Sequence, residues 1–256
     1  MRNPIPYVAA VAALGLVGCG GLESLGSADT LSNLAQAGGT AAKAAFLSDG
    51  EIKTLSDQSC AESDSKSQVA DAKSPYTVRL NKVMERMPAS INGQPVNYKV
   101  YLAKDVNAWA MANGCIRVYS GLMDTMSDDE LRGVLGHEEG HVALGHSKKA
   151  MQVAYSATAA RQVAGAAGGI AATLSQSQLG DMTEKLINAQ FSQSQESAAD
   201  DYAFDLLTRQ KLPREGLVTA FEKLAQASPG QASLFSSHPP SAERAARMRQ
   251  RLTAAR

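Results

Sequence analysis

The chain has 256 residues, with 25 Lys plus Arg balanced by 25 Asp plus Glu. That zero net charge offers no global attraction for nucleic acid or for an anionic lipid surface. Hydrophobic residues make up 44% and aromatics only 5%, so one compact domain with a sizeable core is expected, packed mainly through alanine-rich helices.

At the N-terminus, Arg2 precedes an apolar run from Ile5 to Val17. The run is too short to span a bilayer and suits the core of a signal peptide. It ends Leu16-Val17-Gly18-Cys19, which resembles a bacterial lipobox. The resemblance implies removal of residues 1–18 and lipid attachment at Cys19; an ordinary cleaved signal with an incidental cysteine is the competing reading. Several acyl chains anchor a protein firmly where one does not. Gly20 stands where an Asp would favour inner-membrane retention. By resemblance to lipoprotein sorting in Gram-negative cells, this points to the outer membrane, facing the periplasm. Residues 19–47, rich in Gly, Ser and Ala, read as a tether. Residues 48–256 are left for the domain.

The polar, aperiodic segment Ser59 to Ser74 predicts a surface loop. Val96 to Leu102 begins with strand alternation. Ala108–Ala112 and Ile116–Tyr119 flank Asn113-Gly114, a hairpin signal of the type I′ kind. A small sheet is therefore expected, and an exposed edge of it can pair with an extended peptide. The competing reading is a sheet that only braces a helix. With Cys19 committed to lipid, Cys60 and Cys115 remain as a pair in an oxidising compartment. A disulfide is the economical expectation, with a buried thiol pair as the competing state.

Ser127, followed by Asp128, Asp129 and Glu130, reads as a capping box with acidic residues in the first turn of a helix. Leu131, Val134, Leu135 and Val142 make an apolar stripe, and Gly145 is a plausible stop. On this helix of four to five turns lies His137-Glu138-Glu139-Gly140-His141. Positions i and i+4 share a face, so His137 and His141 can present two nitrogens to one ion. Neutral nitrogen donors suit Zn²⁺, and Glu138, about 100° further round, can reach an attacking water. Gly133, Gly136 and Gly140 form a small-residue row, each costing about 1 kcal/mol against Ala, which predicts a closely approaching backbone. Glu139 occupies a variable position and need not disturb the site. His146, five residues beyond His141, reads as structural or solvent-facing, not as a ligand.

Ala150 to Leu179 is rich in small residues; Arg161 and Gln162 argue against membrane insertion, so a close-packed helix is expected. A helical run follows from about Met182 to Gln210. A catalytic zinc needs a third protein ligand. The only histidines are 137, 141, 146 and 238, so a carboxylate is the leading candidate. Glu196 and Asp200 are again i and i+4. Alone, with Asp201, they read as a solvated acidic face; after an HExxH helix they read as a ligand and an acceptor for a ligand imidazole. Pro239-Pro240 precede an Arg-rich terminal helix from about Ala242 to Leu252, whose arginines are expected to face solvent, Arg244 excepted if it braces the site.

HExxH at 137–141, Glu196-Ser197-Ala198-Ala199-Asp200, and Ser237-His238-Pro239 with Arg244 after it together resemble the HtpX-like gluzincins. The stretch Asn107 to Gly114 resembles the strand ahead of the zinc helix in that family, and residues 19 to about 249 resemble its small lipoprotein branch, the LoiP type. The resemblance implies an α+β fold: a mainly helical zincin-type metalloprotease domain with a small antiparallel β-sheet packed beside the HExxH helix. It implies one Zn²⁺ per chain on His137, His141 and Glu196, and Glu138 as general base. Asp200 is expected to orient a liganding imidazole, Arg244 to brace the site, and His238 to stabilise the oxyanion or only to brace the following helix. The implied function is zinc-dependent endopeptidase action on exposed or misfolded envelope proteins, with possible assembly or quality-control partners. The alternative is a peptide-binding holdase or assembly factor whose zinc site is structural or latent.

Overall fold

The computed structural model describes residues 47–159, 174–226, 238 and 242–254. Cys19 and its lipobox, the tether up to residue 46, and Pro239-Pro240 lie outside the described residues.

The first described helix, α1 (Asp49–Lys66), occupies half of the segment expected to be a surface loop. Ser48 and Glu51 close a reciprocal capping box at its start. Its buried face includes Ser56, Ser59, Cys60, Glu62 and Ser63 beside Ile52 and Leu55. A helix that packs through small polar residues carries almost no apolar periodicity, which is why the loop expectation failed. α2 (Pro75–Met84) follows, then a hairpin of β1 (Ser90–Ile91) and β2 (Gln94–Pro95).

The central sheet joins β3 (Asn97–Tyr101), β4 (Ala108–Ala110) and β5 (Cys115–Tyr119) in the order β3-β5-β4. It is mixed: β3 runs parallel to β5 and β4 antiparallel. The connection at Asn113-Gly114 is not the expected type I′ turn. Only Gly114 has positive φ there, at 82°, whereas a type I′ turn needs two such residues. That geometry belongs to Asn92-Gly93 in the β1–β2 hairpin, at φ 51° and 76°.

Alternation along β5 divides the interior in two. Ile116 and Val118, with Val100 and Ala108, join Leu131 and Leu135 in the main core. Cys115, with Tyr101, Trp109 and Met111, faces a second core that includes Leu55, Met151 and Met182. The expected disulfide is present between Cys60 and Cys115, tying α1 to the central strand. Beside it, buried Arg117 donates from Nε to Asp64 at 2.7 Å, and Lys99 and Tyr101 also donate to Asp64.

A short helix, α3 (Ser120–Thr125), leads to α4 (Asp128–Ala143), then α5 (His146–Ala159). Residues 160–173 of the expected small-residue helix lie outside the described residues. No described helix is long and apolar enough to cross a membrane. The single run expected over 182–210 is two helices, α6 (Gln176–Ile187) and α7 (Gln193–Arg209). Ser192 restarts the chain with a capping box to Gln195. α8 (Glu215–Gln226) and α9 (Ala242–Ala254) are the last helices among the described residues.

α4 is sandwiched by α7 and α8 and backed by β4. Its glycines behave differently from one another. A Cβ on Gly133 would stand 2.6 Å from Leu217 Cα, and one on Gly140 3.0 Å from Ala199 O. One on Gly136 would meet only ordinary contacts, Ala203 Cβ at 3.5 Å being the nearest. The close approach expected along the whole row holds at its two ends and not at Gly136.

Candidate metal centre

α4 begins as the residues predict: Ser127 accepts from the Glu130 amide, and Glu130 accepts from the Ser127 amide at 2.8 Å. Three acidic residues meet the positive end of the helix dipole. At the other end Asn92 Nδ2 donates to Ala143 O at 3.0 Å, satisfying one of the last carbonyls. Between these caps His137 and His141 stand one turn apart, both almost fully buried. α7 supplies Glu196 in its first turn and Asp200 one turn later.

The two helices converge. His137 Nε2 and His141 Nε2 are 3.1 Å apart. Glu196 Oε2 lies 3.5 Å from the former and Glu196 Oε1 3.3 Å from the latter. His238 Nδ1 joins them, 3.0 Å from Glu196 Oε1 and 3.3 Å from His137 Nε2. A tetrahedral zinc bound at roughly 2.0–2.1 Å would hold its donors about 3.3 Å apart. The donor types and spacings of His137, His141, Glu196 and His238 therefore fit one small cation.

The electrostatics agree. Two buried imidazole nitrogens can face each other at 3.1 Å only with a proton or a cation between them. Burial pushes His141 well below the usual imidazole range. Burial acts likewise on His137, but Asp200 and Glu196 reverse it and hold that ring at about 9. Burial would raise the Glu196 carboxyl too, yet hydrogen bonds from His137, His141 and His238 keep it far below the usual carboxylate range.

Asp200, Arg244 and Glu138 lie around the cluster. Asp200 Oδ1 lies 2.9 Å from His137 Nδ1, on the side of the ring away from the cluster. Arg244, on α9, makes a bidentate contact with Asp200 and approaches Glu196 Oε2 at 2.6 Å. Glu138 is buried, which raises its pKa, and its Oε1 lies 3.4 Å from His238 Nε2 without a hydrogen-bond partner.

Three features went unseen in the sequence. Glu139 is fully buried and accepts from the Tyr98 hydroxyl of β3; burial lifts its carboxyl to about 7. The interruption before α7 places the Phe191 ring over His141, with centroids 3.9 Å apart. His146 opens α5 instead of ending the histidine helix, and its Nδ1 lies 3.1 Å from His141 Nδ1. Of these, only the charged residue at position 139 offered a signal in the chain itself.

Known proteins with related chains carry the same chemistry in their names. The model of peptidase family M48 matches residues 76–252. Metalloprotease LoiP of Escherichia coli (strain K12) is 56% identical over 240 residues, covering 93% of this chain and 92% of its own. Metalloprotease YcaL of the same organism is 52% identical over 247 residues, covering 96% and 95%. A more distant relative is the beta-barrel assembly-enhancing protease of Yersinia pestis. It is 28% identical over 162 residues, 59% of this chain and 33% of that protein. With a family match across most of its length, near full-length similarity to two metalloproteases and a buried donor cluster built around its HExxH helix, this chain is a metalloprotease of peptidase family M48.

Proposed function

We propose that the protein is a zinc-dependent endopeptidase held by lipid at Cys19 on the periplasmic face of an outer membrane, acting on exposed or misfolded envelope proteins. The observation that carries this reading is the donor cluster with buried Glu138 beside it, its Oε1 without a hydrogen-bond partner and 3.4 Å from His238 Nε2. In it His137, His141 and Glu196 hold the ion. A bound zinc lowers the pKa of water towards about 7 and polarises a peptide carbonyl. Glu138 takes the proton of the attacking water and delivers it to the leaving amine; a carboxyl raised by burial suits both transfers. The Asp200 carboxylate, 2.9 Å from His137 Nδ1, holds that ring electrostatically, while Arg244 neutralises the paired carboxylates.

The sheet supports a peptide substrate. The outer side of β3 is occupied by residues 68–70, through Ala70 N to Val100 O and Leu102 N to Gln68 O. On β4, the antiparallel register turns Asn107, Trp109 and Met111 towards β5. Ala108 and Ala110 therefore direct their N–H and C=O groups away from β5; Ala108 is fully buried, so only the half-buried Ala110 end of this edge can pair with an extended segment. A cavity of about 360 Å³ lined by His146, Val153, Ala157 and Phe191 opens beside the histidines and suits an apolar side chain. The disulfide supports an oxidising compartment. The name of the Yersinia relative supports a context of envelope assembly.

One observation favours a second reading, a latent site. With His238 in the donor set, four protein ligands would be available to one ion, which is the habit of structural zinc, whereas catalytic zinc keeps a position open. In this reading His238 must leave before water or substrate enters. The test compares purified wild type with Glu138→Gln, both metal-loaded, on unfolded protein substrates. The variant is expected to keep one zinc per chain and to lose at least 10²-fold in turnover. Equal proteolysis by the two proteins would overturn the assignment of Glu138, and an absence of bound zinc in both would overturn the centre itself.

A further inference from the structure

We propose that His146 is a positioning residue for the metal centre, accepting a hydrogen bond from His141 Nδ1 and so setting the tautomer and ring plane of that ligand. This rests on the metal-centre reading above. His141 turns Nε2 into the donor cluster, 3.1 Å from His137 Nε2 and 3.3 Å from Glu196 Oε1. A neutral imidazole that binds through Nε2 carries its proton on Nδ1, and in a ring only 1% exposed that N–H needs an acceptor. His137 has the Asp200 carboxylate in this place, at 2.9 Å. His141 has His146 Nδ1, at 3.1 Å, which accepts when His146 carries its own proton on Nε2.

The backbone is arranged for this contact. On one continuous helix, a residue five positions beyond His141 would point about 140° away from it. Instead α4 stops at Ala143, Gly145 takes φ +74°, and His146 opens α5. A Cβ on Gly145 would meet nothing within 4 Å, so glycine serves the turn through its backbone conformation and not through space. The break in the helix lets His146 lean back on His141, with ring centroids 5.0 Å apart, while Phe191 covers His141 from another side. The two ligand histidines are thus supported unequally. His137 rests on a carboxylate that adds negative charge, whereas His141 rests on a neutral ring that only orients it.

The experiment measures zinc affinity of the full chain by chelator competition, together with the thermal midpoint of the metal-free protein. His146→Leu removes the acceptor, whereas His146→Asn keeps an oxygen acceptor at the δ position. His146→Leu is expected to weaken zinc binding about 10–100-fold without lowering the metal-free midpoint, and His146→Asn to recover most of that loss. Wild-type affinity in His146→Leu, or a loss as large in His146→Asn as in His146→Leu, overturns the proposal. Should His146→Leu fail to fold, His146→Ala is read by the same criterion. A wild-type chain that binds no zinc removes the metal-centre reading and this inference together. Zinc binding abolished by His137→Ala but untouched by His146→Leu removes this inference alone.

Discussion

Two imidazoles, a third from His238 and a carboxylate crowd within hydrogen-bonding distance in a nearly dry space. Such a group is stable only with positive charge among or behind its members. Arg244 supplies part of it from behind, by touching both Glu196 and Asp200. His238 is the residue whose role the geometry leaves divided between lock and oxyanion partner, and the two roles have opposite signatures. His238→Ala raises proteolysis if the ring closes the site. It lowers kcat by about 10²-fold, with little change in KM, if the ring stabilises the oxyanion. Steady-state assays on one peptide substrate separate these outcomes. At this scale, His137, Glu138 and His141 were legible because helical spacing alone puts them together. Glu196 was legible only through its pairing with Asp200. The His146 contact was not, because it depends on a helix break at one glycine of positive φ.

At the scale of elements, the site depends on how closely α7 and α8 approach α4. Gly133 and Gly140 are the points of contact, and Gly136 between them is not. Gly133→Ala is expected to cost about 1–3 kcal/mol through overpacking against Leu217, and Gly140→Ala to be destabilising against Ala199 O. Gly136→Ala is expected to be neutral or to gain up to about 1 kcal/mol from helix propensity. Urea midpoints of the three variants check the ranking. The terminal helix also differs from its sequence reading as a solvated face. Arg247 pairs with Asp201, Arg249 with Glu222 and Glu215, and Arg251 with Asp201 and Asp205, so α9 is clamped to α7 and α8. An Arg-rich pattern cannot reveal whether its partners are water or carboxylates on another helix.

Across the whole molecule, α1 is joined to the sheet by one covalent and one ionic link. The Cys60–Cys115 bridge spans 55 residues, for which chain entropy gives about 4 kcal/mol. Paired Cys60→Ser and Cys115→Ser substitutions should lower unfolding stability by that order, measured by urea titration against the oxidised wild type. Asp64 is the ionic link. Burial alone would raise its pKa, but Arg117, Lys99 and Tyr101 together hold it at about 2. Because this lies below the unfolded value of roughly 3.9, the stability it supplies is fully present above about pH 4. It is lost as pH falls towards 2. Asp64→Asn is expected to lower the urea midpoint at pH 6 and to flatten its decline between pH 4 and pH 2.

The sequence by itself determined the histidine helix, its caps, the partner carboxylates and the pairing of the two cysteines. Each rests on a local rule: helical period, capping geometry, or counting of reactive side chains. Tertiary structure alone decided that Asn92-Gly93 makes the type I′ turn, that α1 replaces a loop, that His238 enters the donor set and that His146 supports His141. These depend on contacts between segments far apart in the chain or on one residue's backbone angle, and neither leaves a periodic trace in composition.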